Sequence, residues 1–93
     1  MAAVMEKGVP FRFQASGASM SPFIRSGDII TIAPLCEQPS LGAVVAFVNP
    51  DNHRLAVHRI VACRSGSYLL RGDNGCHSDG WVAQGDIIGR VIR

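Results

Sequence analysis

Three absences narrow the reading before any motif is considered. No run of Lys or Arg occurs: nine basic and seven acidic residues are scattered along the chain to a net charge of +2. Nothing therefore traces a phosphate backbone, and nucleic acid is not an expected partner. No Cys-x-x-Cys pair occurs either. Cys36, Cys63 and Cys76 are odd in number and widely separated, which argues against a disulfide framework and for a reducing compartment, the cytoplasm fitting best. No stretch approaches the roughly 20 apolar residues that span a bilayer. Residues 1–9 carry Glu6, Lys7 and Gly8 where a signal peptide keeps its apolar centre, so no membrane anchor is expected in the chain as given. Internal repeats, low-complexity tracts and linkers are also missing.

What is present is a chain of 93 residues, 47% hydrophobic and only 17% charged, a balance that favours folding over disorder. The length fits one domain over residues 1–93, with a modest core. Ten Gly and five Pro break the apolar runs into short lengths, which predicts a mainly β fold of short antiparallel strands. Phe11 and Phe13 alternate with Arg12 and Gln14 in the period of a half-buried strand. Residues 29–33 form a β-branched run stopped by Pro34, and residues 43–48 form another, stopped by Asn49-Pro50-Asp51-Asn52. Residues 55–63 and 67–71 read as a hairpin turning at Arg64-Ser65-Gly66. Residues 87–92 close the chain, with Gly89 marking a bulge. Between Gly72 and Gly80 the composition predicts a polar loop, and the strands are expected to follow one another as a meander. A short helical turn is predicted over residues 20–24, opened by Pro22 and ended by Ser26-Gly27-Asp28. Asp28 is expected to bond turn amides. Trp81 is expected to cap the core, with Arg71, Arg90 and Arg93 as solvated charges.

The chemistry centres on Ser16-Gly17-Ala18-Ser19-Met20-Ser21-Pro22, which sets a small serine among tight-turn residues directly after a strand. Such a serine either satisfies backbone donors as a turn or N-cap residue or acts as a nucleophile, and the second role needs a base, because a hydroxyl attacks poorly at neutral pH. His53, His58 and His77 are the three imidazoles. His53 falls in a turn and His77 in a loop. His58 lies in a strongly apolar strand, where packing can fix its ring and low polarity can keep it neutral. The competing reading of His58 is a core histidine bonded to a carbonyl. Cys76-His77 beside Asp79, with His58 at a distance, lack the Cys-x-x-Cys or His-x-x-x-His spacing of a zinc site, so no metal or cofactor is expected.

Taken together, Ser-Gly-x-Ser-Met-x-Pro, then Gly27-Asp28, then Val57-His58-Arg59-Ile60-Val61, then Gly72-Asp73-Asn74 with a later Asp, resemble the signal peptidase and SOS-repressor (LexA-like) serine peptidase superfamily over nearly the whole chain. The resemblance implies a LexA-like or signal-peptidase-like, partly closed barrel of antiparallel strands. It implies Ser19 as nucleophile and His58 as general base, the Ser-His variant of a dyad that uses Lys in bacterial signal peptidases. It further implies Asp79 as the residue that assists the imidazole, with Asp73 as the fallback. The Ser19 amide, helped by Ser16 or a neighbouring N–H, would supply the oxyanion site. The sequence as given shows no transmembrane segment before the serine motif, no large extra β-domain and few residues ahead of Ser16, so neither work on exported preproteins at a membrane nor repressor-type self-cleavage is expected.

The expected function is therefore that of a stripped serine endopeptidase core cutting a protein or peptide substrate. The rival is a non-catalytic module that holds an extended peptide as an added strand along the same groove. A third reading is a subunit that needs a partner to complete its cleft. An exposed sheet edge leaves a homodimer or a covering partner protein open.

Overall fold

The computed structural model describes residues 10–75 and 78–92. Seven strands form one antiparallel sheet: β1 Phe11–Gln14, β2 Ile29–Ala33, β3 Val44–Val48, β4 Leu55–Arg64, β5 Ser67–Arg71, β6 Ser78–Ala83 and β7 Ile87–Ile92. Their lateral order is β1-β2-β7-β3-β4-β5-β6. The fold is mainly β, and the sheet does not close into a complete barrel.

Four sequence expectations change. The meander holds from β3 to β6, but β7 returns to lie between β2 and β3. Both neighbours gain by it: Ile32 and Ala33 pair with Val91 and Arg90, while Val45 and Ala46 pair with Arg90 and Gly89. The polar loop from Gly72 ends early, because Ser78–Ala83 forms strand β6 against β5. Ser, Asp and Gly are poor strand formers, and here the ladder to β5 overrides local preference, as context does at a sheet edge. The bulge expected at Gly89 lies beside it: Ala46 faces Gly89 and Phe47 faces Ile87, which leaves Ile88 as the extra residue.

Strand β3 explains the core. Its sequence Val-Val-Ala-Phe-Val is buried on both faces, because the sheet places an apolar cluster on each side. Val45 and Phe47 join Ile60, Tyr68, Leu70, Val82 and Ile87 on one side. Val44 and Ala46 join Met20, Ile24, Ile30 and Ile32 on the other. A strand covered on both faces reads as a continuous apolar run rather than an alternation. Trp81 does not cap this core. It lies on the outer face of β6, 38% exposed, with the Arg64 guanidinium 4.1 Å above its ring.

Candidate active site

The serine loop is pinned at its base. As β1 ends, Ala15 N–H donates to Asp28 C=O and Gly27 N–H donates to Ala15 C=O, both at 2.8 Å. The predicted helical turn is a single one, with Ile24 N–H on Met20 C=O at 2.8 Å. It contains a cis Ser21–Pro22 peptide bond. Asp28 acts as expected, accepting Arg25 N–H at 2.9 Å. Met20 and Ile24 sink into the core. Ser19, one residue before the first of these anchors, is held exposed at the surface. The local pattern of one exposed residue beside two buried ones presents the hydroxyl on a rigid base.

His58 reaches that hydroxyl from β4. Its Nε2 lies 3.1 Å from Ser19 Oγ, and its Nδ1 contacts Asp79 Oδ2. Because a carboxylate only accepts, Nδ1 carries the proton, and Nε2 is left with a lone pair for the serine O–H. The Phe47 ring, 5.8 Å from the imidazole between centroids, walls off one side. The His58 and Asp79 side chains are only 15% and 19% exposed, so the pair is sheltered while the serine is open. Asp79 is aimed by a bulge: Leu69 faces Trp81 and Arg71 faces Ser78, so Asp79 and Gly80 together oppose Leu70. Gly80 takes φ +83° there, a left-handed conformation that a side chain would strain.

Asp73 does not orient His58. Its carboxylate takes both arms of the Arg59 guanidinium, Nε and Nη2, at 2.8 Å each. The hydrogen bonds from Arg59 hold Asp73 below the usual carboxylate range against the opposing effect of partial burial. The same bonds raise the Arg59 guanidinium. Ser16 lines the cleft beside Ser19. Cys76 and His77, weighed as metal ligands, lie outside the described residues. Among the described residues no cluster of three or more His, Cys, Asp or Glu side chains is placed to hold a metal ion, and no helix is long and apolar enough to cross a membrane.

Reading the sequence alone left two contributors unassigned. Gly72 is one: a Cβ there would lie 2.6 Å from Ser19 O and 3.2 Å from His58 Nε2. The chain passes so close to the serine and the imidazole that only glycine fits. Asn74 is the other, donating its backbone N–H to Ser19 C=O at 2.8 Å and its side-chain amide to Ala18 C=O at 3.2 Å. The Gly-Asp-Asn signature carried the signal, but its contacts span more than fifty residues and have no local trace.

A cleft of about 180 Å³ runs up to Ser19 and His58, with Phe13, Ala15, Ile24, Leu55 and Val57 among its walls. One side is β1, an edge strand of the sheet among the described residues. The other is the start of β4, since β5 pairs only with residues 59–64.

A serine hydroxyl, an imidazole and a carboxylate thus stand in series at the end of a cleft on an antiparallel sheet. The model of the Peptidase S24-like family matches residues 3–92, and the chain belongs to that family. No curated protein matches it.

Proposed function

We propose that this protein is a serine endopeptidase that cleaves a protein or peptide segment bound in extended form. The observation that carries the reading is the placement of His58 between Ser19 and Asp79, with one ring nitrogen on each. In this mechanism Ser19 Oγ attacks the scissile carbonyl carbon while His58 Nε2 takes its proton, and Asp79 stabilises the imidazolium. His58 then returns the proton to the departing amine. Water, activated by the same nitrogen, hydrolyses the acyl-serine and regenerates the hydroxyl. The oxyanion is received by the Ser19 amide, which no backbone acceptor takes among the described residues, with Ser16, which lines the same cleft, as a second donor.

The cleft favours a peptide over a compact substrate. It runs between the edge of β1 and the unpaired edge at the start of β4, so an extended segment can add as a strand, with its apolar side chains against Phe13, Ile24 and Leu55. Cys36 and Cys63 are free and exposed, which suits the reducing cytoplasm.

The test is cleavage of an extended peptide library, with products mapped by mass spectrometry, using wild type, Ser19→Ala and His58→Ala. Defined cuts are expected from wild type, with at least about a thousandfold loss in each variant. Tight binding of library peptides without any cut would instead make this a peptide-holding module.

A further inference from the structure

We infer that Arg59 and Asp73 form a latch that positions the nucleophile: the pair fixes the loop at residues 72–75, and that loop holds the Ser19 backbone at its working distance from His58. The inference rests on the peptidase reading above and adds a role for a pair that touches neither Ser19 Oγ nor the imidazole.

Arg59 follows His58 on β4, so the two side chains leave opposite faces of one strand. One strand thus presents the base on one side and the latch cation on the other. The guanidinium is held on several sides: two bonds to Asp73, a third to Gly42 C=O at 2.9 Å, and a face against the Phe23 ring at 5.0 Å. Fork-to-fork pairing of this kind fixes orientation as well as distance. Asp73, so held, delivers its own loop to the serine segment by three contacts on three successive residues. Asn74 Nδ2 donates to Ala18 C=O, Asn74 N–H donates to Ser19 C=O, and Asp73 N–H donates to Met20 Sδ at 3.3 Å. Gly72 completes the seat by letting the loop approach the serine without a side chain. Apart from the Ser19 Oγ–His58 Nε2 contact itself, the described hydrogen bonds that reach Ser19 come from this loop. Without the latch, the hydroxyl keeps its anchors at Met20 and Ile24, but the loop that registers it against His58 is held only by its run-on from Arg71 of β5.

The test compares wild type with Asp73→Asn, Arg59→Met and Arg59→Lys by two readouts. The first is amide hydrogen exchange, read by NMR at Asn74 with Ala46 in the central strand as reference. The second is the acylation rate with a fluorophosphonate, together with kcat and KM on a cleaved peptide. In Asp73→Asn and Arg59→Met, Asn74 exchange is expected to rise at least about tenfold while Ala46 stays unchanged. Acylation and kcat fall about 10- to 100-fold, the loss that a misplaced reacting group brings, with KM within about twofold and the shape of the pH profile retained. Arg59→Lys, which keeps the charge and loses the fork, falls between. Asn74 exchange within twofold of wild type overturns the latch, as does faster exchange with acylation unchanged. A wild-type protein that takes no label overturns the peptidase reading instead, and the exchange data alone then decide whether the pair holds the serine loop.

Discussion

At the scale of single residues, His58, Asp79 and Asp73 each have a distinct partner near Ser19, and each predicts a distinct failure. Asp79→Asn leaves a hydrogen-bonding side chain of the same shape but removes the charge that, on the proposed reading, stabilises the imidazolium. It is expected to lower kcat by about 10²- to 10⁴-fold with little change in KM, measured by steady-state kinetics. Gly72→Ala places a methyl group 2.6 Å from Ser19 O, a backbone atom that cannot swing aside. Acylation is expected to fall at least about 100-fold, with a stability loss of about 1–3 kcal/mol by thermal denaturation. Asp73 gives a third signature. Its carboxyl is held below its ordinary range by Arg59, so the unfolded chain takes up that proton more readily than the folded one. The pair's contribution is complete above the ordinary carboxylate value near about 4 and is lost as the pH falls through the lower folded value. Asp73→Asn should therefore flatten the acid limb of the stability curve, read by urea denaturation between about pH 5 and pH 2.

At the scale of elements, the strands visible in the sequence are those whose residues favour strands on their own. Ile29 to Ala33 and Ala43 to Val48 are β-branched or apolar runs closed by turn residues and Ile87 to Ile92 is a last apolar run, and each forms a strand, the second beginning at Val44. Strand β6 escaped because Ser78, Asp79 and Gly80 read as a turn. It exists through its pairing with β5, a long-range term with no local trace. The site shows the same division. Ser19 and His58 were legible because each lies in a dense local motif, and the placement of Asp73 against Arg59 was not, because only the folded sheet brings them together. The β6 bulge makes one further prediction. Gly80 has open space where a Cβ would sit but a φ of +83°, so Gly80→Ala costs backbone strain alone, about 1–2 kcal/mol, measured by urea denaturation. Asp79 rides on that bulge, so kcat should fall with it.

At the scale of the whole molecule, stability and chemistry share the same central strand. Phe47 is fully buried and also forms the wall against which His58 rests. Phe47→Ala removes a large part of one core cluster, which costs about 3–5 kcal/mol. In a fold this small that is a large share of the roughly 5–15 kcal/mol that holds a domain together, so a marked drop in Tm is expected by calorimetry. The open sheet leaves β1 and β6 as its outer strands. On the proposed reading the substrate strand borders β1, while Arg64 stacked over Trp81 places a charge beside the other edge, the kind of feature that discourages strand addition.

The most direct measurement is the site at which a fluorophosphonate adds to the protein, read by mass spectrometry of the digested adduct. A single adduct on Ser19, formed by wild type and lost in His58→Ala, is the predicted result. Adduct on other serines at comparable rates, or labelling of Ser19 that is indifferent to removal of His58, would contradict an activated hydroxyl at this position.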